Sequence, residues 1–182
     1  TKKTKVNGEK RTAAQLDGDE QGNELMEALA EDKHLKRFFA KDKDFDFGIP
    51  GKDNGFDIEG LAVTDGHLYI GLRGPVLRGW TVILEVVPEE DKKDPAKLKL
   101  KPIGPDGRLY RKHFFQLDGL GIRDLCVQGD DLLILAGPTM DLDGPVTVFR
   151  WPNGAKQKAE AIVPNDKSSD KLKRLFDIPY GE

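Results

Sequence analysis

Apolar positions recur at helical spacing in one stretch of this chain. Leu25, Met26 and Leu29, then Leu35, Phe38 and Phe39, fall on one face. The spacing predicts a short helical insertion at about 23–40, broken near Asp32. Asn23 is placed to cap it, because its side chain can accept a free amide of the first turn. Residues 1–22 are polar and aperiodic, and predict a flexible loop ahead of a folded domain spanning 23–182. Beyond about residue 45 the pattern becomes that of strands. LAV, HLYIGL, TVILEVV, HFFQL, LCV, DLLILA and VTVFRW are short runs rich in β-formers. Turn pairs separate them: Asp65-Gly66, Asp106-Gly107, Gly129-Asp130, Asp143-Gly144 and Asn153-Gly154. The stretch 88–102 reads as a charged loop leading into a weak strand.

Two segments repeat. IEGLAVTDGHLYIGLRGP starts at Ile58 and IRDLCVQGDDLLILAGP at Ile122, an offset of 122 − 58 = 64. In both, a strand, a tight turn, a second strand and a Gly-Pro lead through a loop to a third strand. Val82 and Val146 keep the same offset, and HFFQL follows as a connecting or outer strand. Units of three to four antiparallel strands are the pattern of propeller blades. The expected fold is all-β: a portion of a β-propeller, with two clear blades, part of a third around 159–178, and the helical insertion. A ring needs at least about four blades. The remainder of its own propeller, or a second copy, is therefore expected to close it. A sandwich is the alternative packing of the same units.

Composition narrows the function. The charge is 29 − 32 = −3, and the basic opening is offset by Asp17, Asp19, Glu20, Glu24 and Glu27. This argues against a dedicated nucleic-acid binder. No run approaches the roughly 18 apolar residues of a membrane span. One cysteine, Cys126, cannot form an internal disulfide, which favours a reducing, cytoplasmic setting.

Nucleophilic chemistry finds little to build on. Ser168 and Ser169 lie in a polar run without a GxSxG elbow. Cys126, between Leu125 and Val127, is expected to be buried. His34, His67 and His113 lie far apart, without zinc-site spacing. Asp42, Asp44, Asp46 and Asp53 resemble a Ca²⁺ loop, but Phe47 stands where the turn wants glycine and the last ligand is Asp rather than Glu; a strand with Phe45 and Phe47 inward and the aspartates outward explains them better.

The starts of the repeated units carry Asp57, Glu59, Arg123 and Asp124. At a channel mouth, Asp57, Glu59 and Asp124 could hold Ca²⁺ or Mg²⁺. Alternatively, Arg123 pairs with Asp57 or Glu59 and locks neighbouring blades. In GLRGPVLRGW, Arg73 and Arg78 could fork onto an anion, with Arg123 nearby. They could instead pair with Asp141 and Asp143 of the matching loop. Trp80 and Trp151 are expected to pack between blades.

The runs PGKDNGFDIEGLAV, LYIGLRGPVLRGWTVILEV, YRKHFFQLDGLGIRDLCV and DDLLILAGPTMDLDGPVTVFRW resemble a bacterial family, domain-of-unknown-function family 3616. The resemblance covers about 24–182. It implies a propeller loosely related to phytase-like and esterase-like propellers, with further strands beyond both ends of this sequence. It brings no catalytic residues. Two functions follow as expectations. One is a module binding a protein or a small anionic ligand. The other is a Ca²⁺- or Mg²⁺-dependent ester or phosphoester hydrolase at the channel mouth, with Arg73 or Arg78 stabilising developing charge.

Overall fold

The computed structural model describes residues 3–6, 8–12, 14–19, 22–39, 49, 51–140 and 144–179. They form short leading strands β1 (Lys3–Val6), β2 (Glu9–Thr12), β3 (Gln15–Leu16), β4 (Gly18–Asp19) and β5 (Gly22–Asn23), then helix α1 (Glu24–Ala30). Strands β6 (Asp57–Thr64), β7 (His67–Gly74), β8 (Trp80–Val86), β9 (Pro88–Glu90), β10 (Lys97–Leu100) and β11 (Tyr110–Gln116) follow. The chain continues through β12 (Gly121–Gln128), β13 (Asp131–Gly137), β14 (Val146–Trp151), β15 (Ile162–Val163) and β16 (Lys173–Ile178). The protein is mostly β.

Two sheets dominate. The first is an antiparallel meander, β6-β7-β8-β11, with β15 added in parallel at its outer edge. The second is the meander β12-β13-β14-β16. The segment expected to begin a third unit is thus divided: β15 joins the first sheet and β16 is the fourth strand of the second. Asp65-Gly66 makes the predicted hairpin turn, with positive φ at both residues and Thr64 opposite His67.

Pairing within the two sheets matches from Ile58 and Ile122 onward. Ile58 lies opposite Leu72, and Gly60 opposite Gly71; Ile122 lies opposite Ala136, and Asp124 opposite Leu135. Each inner strand therefore carries one extra residue, Glu59 or Arg123, at the same place in its β-bulge. The third strands depart from the expected offset. Ile70 pairs with Leu84, and Ile134 with Phe149, so the offset there is 149 − 84 = 65. Val82 thus corresponds to Thr147, not to Val146; the loop before β14 is one residue longer.

The second sheet lays β12 against β6 and β7. Close approach there needs glycine. A Cβ on Gly60 would stand 3.0 Å from Ile122 Cγ2 and from Leu125 Cγ, and one on Gly71 would collide with Ile122. Between the outer strands the space is filled by large rings. Trp151 packs edge-on against Phe115 at 4.8 Å, with Tyr69 and Phe149 buried in the same core. Gly71→Val is expected to force the sheets apart and cost about 1–3 kcal/mol. An unchanged urea midpoint would show that the contact has slack.

The opposite face of the first sheet is covered over its outer strands by α1 and the turns after it, in a second core of Leu25, Leu29, Leu35, Leu72, Val82, Leu84 and Tyr110. Asn23 caps α1 as predicted, accepting from the amides of Leu25 and Met26 at 3.1 Å. The helix is shorter than expected. Asp32 Oδ1 accepts from the amides of His34 and Leu35, which turns the chain before a single 3-10 turn at Lys36–Phe38. The leading segment, expected as a loop, carries short strands. β1 pairs with β2, and β3 adds in parallel to β10, itself paired with β9 in the charged stretch 88–102.

Cys126 is exposed rather than buried. It alternates with Leu125, which faces the first sheet, and so points to the far side of the second. Asp42, Asp44, Asp46, Asp141 and Asp143 lie outside the described residues. No helix among the described residues is long and apolar enough to cross a membrane.

Candidate functional site

The two bulges bring Glu59 and Arg123 together. Arg123 Nε lies 2.8 Å from Glu59 Oε2, and Arg73 Nη1 donates to Glu59 Oε1 at 2.8 Å. One carboxylate from the first sheet thus holds its own sheet's Arg73 and the second sheet's Arg123. Arg123 also donates to the Pro138 carbonyl at 3.0 Å. Arg73 Nε sits 3.0 Å from Asp57 Oδ2 but off the hydrogen-bonding direction, so that contact is an ion pair only. Asp124, exposed, turns its Oδ1 to the amide of Leu125. The structure therefore gathers Asp57, Glu59, Arg73 and Arg123, and leaves Asp124 aside. No group of three or more His, Cys, Asp or Glu side chains that could hold a metal ion occurs among the described residues.

Arg78 is separate. It occupies the first central position of a two-residue turn, with φ of 52° there and 87° at Gly79. Leu77 and Trp80 exchange backbone hydrogen bonds at 2.7 and 3.1 Å across it. Its guanidinium is exposed and makes no ion pair among the described residues.

Two buried charge centres escaped the sequence reading. The first joins α1 to β11. Asp32 Oδ2 accepts from Lys112 Nζ at 2.5 Å and from the Tyr110 hydroxyl at 2.7 Å, while Oδ1 takes the two amides of the turn. That fills the roughly four acceptor positions of a carboxylate. Burial alone would raise the Asp32 carboxyl, but Lys112, Tyr110 and the His34 amide together hold it at about 2. Burial, then Asp32, push the Tyr110 hydroxyl up. Burial and the Lys112 charge push the His34 imidazole down.

This cluster floors a cavity of about 450 Å³ whose rim includes Glu31, Lys33, Asp106 and Arg108. Arg108 is itself held by Glu160 at 3.0 Å.

The second centre is Glu85, in the middle of β8. Its Oε1 meets His67 Nδ1 at 2.6 Å and Arg111 Nη1 at 3.0 Å, and its Oε2 meets His113 Nε2 at 3.0 Å. His113 Nδ1 accepts from the Ala161 amide at 3.2 Å, which assigns the neutral ring's proton to Nε2. Burial raises the Glu85 carboxyl, and the surrounding histidines and arginine more than offset it, so it is lowered overall. The signal for both centres was a charge on an apolar alternation: Lys112 between Tyr110 and Phe114, and Glu85 within TVILEVV.

These features define a class: a mostly β protein of two stacked antiparallel meanders, clamped at their inner strands by an arginine–carboxylate bridge. The particular family follows from comparison. A family model described as "Protein of unknown function (DUF3616)" matches residues 1–182, and the chain belongs to that family. No curated protein and no solved structure matches the chain significantly.

Proposed function

We propose that this chain forms two consecutive blades of a β-propeller and works as a binding module for a protein or a small anionic ligand. The observation that carries the blade reading is the wedge between the sheets. Glycines let the inner strands touch, and Trp151, Phe149, Phe115 and Tyr69 fill the wider outer part, as a radial arrangement requires. The bulges matched at an offset of 64 support it.

For the anionic ligand, Arg78 is the one of the three arginines singled out from the sequence that makes no ion pair among the described residues. Arg73 and Arg123 are already held by carboxylates. Titrating inorganic phosphate should shift the Arg78 and Gly79 amide resonances; a flat response at millimolar phosphate would remove the small-anion part.

The alternative is a Ca²⁺- or Mg²⁺-dependent ester or phosphoester hydrolase using Asp57, Glu59 and Asp124. It has less support, because the first two carboxylates face arginines. Glu59→Gln separates the readings. As a clamp residue it should cost about 1 kcal/mol, since the bridge is partly exposed, with no change in calorimetric response to Ca²⁺ or Mg²⁺. Divalent binding by the natural protein that vanishes in Glu59→Gln would favour the hydrolase.

A further inference from the structure

One apolar strand face has no cover among the described residues. On β6, Leu61 is 56% exposed and Val63 is 59% exposed, beside an exposed Ile58. They share a face with Leu68 and Ile70, opposite them on β7. The second sheet shows what this face is built for. At the corresponding positions stand Ile122, Leu125 and Val127, opposite Leu132 and Ile134. There Ile122 is fully buried and Leu125 is 5% exposed, because both press on the first sheet at Gly60 and Gly71.

We infer that Ile58, Leu61 and Val63 form a docking surface for another antiparallel β-sheet, one with glycine at the two positions that correspond to Gly60 and Gly71. This rests on the blade reading and adds the identity of the face and the chemistry of its partner. A second copy of this chain does not meet that requirement. Its free sheet would present Asp124 where the first sheet has Gly60, and Leu135 where it has Gly71. Leu135 would fill the space that Ile58 needs, and Asp124 would be buried without a cation. The free face of the second sheet also carries Cys126, Leu133 and Val148, and beside them the polar group Gln128, Asp131 and Arg150. Asp124 and Leu135 thus stand at the two positions where this stacking requires glycine.

Sedimentation velocity tests this. The natural protein should run as a single chain of 20.3 kDa. The double variant Asp124→Gly/Leu135→Gly should associate head to tail, and adding Leu61→Glu, at an exposed position, should return it to a single chain. If glycine destabilises the strand, Asp124→Ala/Leu135→Ala serves instead, with circular dichroism confirming the fold. The proposal is overturned by a natural protein that self-associates and is dissociated by Leu61→Glu. It is equally overturned by a folded double variant that stays a single chain at about ten times the concentration expected to drive association. The shape of the assembly judges the blade reading separately. A closed ring of two to four copies matches the roughly four to eight blades of propellers; open-ended growth would retain the docking surface and remove the propeller.

Discussion

Asp32→Ala is expected to destabilise the protein by about 3–5 kcal/mol, because it leaves a buried lysine without its counter-ion. The Lys112 side chain is 2% exposed and its ammonium depends on Asp32 Oδ2. The same change removes the acceptor for the His34 and Leu35 amides and for the Tyr110 hydroxyl. The N-terminal layer would lose its pin to β11, so the urea midpoint should fall and α1 should exchange its amides first. Replacing both charges, Asp32→Leu with Lys112→Met, should recover most of the loss, since the penalty comes from the orphaned charge more than from the missing attraction. A double variant as unstable as Asp32→Ala would show that the turn amides dominate.

Acid provides an independent check. The Asp32 carboxyl is held at about 2 in the folded chain, against 3.8 ordinarily. A lowered carboxyl contributes stability that is fully present above its unfolded value and disappears as pH falls through the folded value. Stability should therefore decline between about pH 4 and pH 2. In Asp32→Asn that part of the decline should be missing from the urea midpoint measured against pH.

Glu85→Ala should be of similar size, about 3–5 kcal/mol. Glu85 is wholly buried, as is His113, and Arg111 has its guanidinium turned inward to it. Removing the carboxylate leaves these donors facing each other across a dry gap and frees the segment that His113 and Arg111 hold through Ala161 and Gln157. Glu85→Gln keeps the volume but offers one acceptor oxygen in place of two, and should fall between the natural protein and Glu85→Ala. A loss for Glu85→Ala within about 0.5 kcal/mol, the range of ordinary surface changes, would mean that the network contributes nothing net. Because the Glu85 carboxyl is also lowered, its share of stability is present above its ordinary value and lost in acid, in the same sense as Asp32.

Both centres lie away from the residues that first drew attention. Asp57, Glu59, Arg73 and Arg123 were readable as a set because they sit at the starts and ends of matched strands, where a bulge turns side chains to the rim. Their partition was not readable. Whether Glu59 faces a cation or an arginine depends on which bulge residue of the second sheet meets it, and that follows from how the sheets stack. The three histidines looked isolated for the same reason. His67 and His113 meet at Glu85 because β7 and β11 flank β8, an adjacency decided by strand order.

What the sequence by itself determined is local. Alternation set the strands of both meanders, Asp65-Gly66 set a hairpin, Asn23 set the start of α1, and Asp32 its end. Each rests on neighbours within a few residues, where propensity and turn chemistry act. Tertiary structure alone decided the fate of the charges and the ends. Asp32 finds Lys112 across 80 residues, β16 closes the second meander instead of opening a third, and β14 slips the offset by one residue. It also decided that Leu125 is buried while Leu61, its counterpart on β6, is not. Identical local chemistry led to opposite environments, because burial depends on the face against which a sheet is stacked: Leu125 faces the first sheet, while Leu61 lies on the face of β6 turned away from the second.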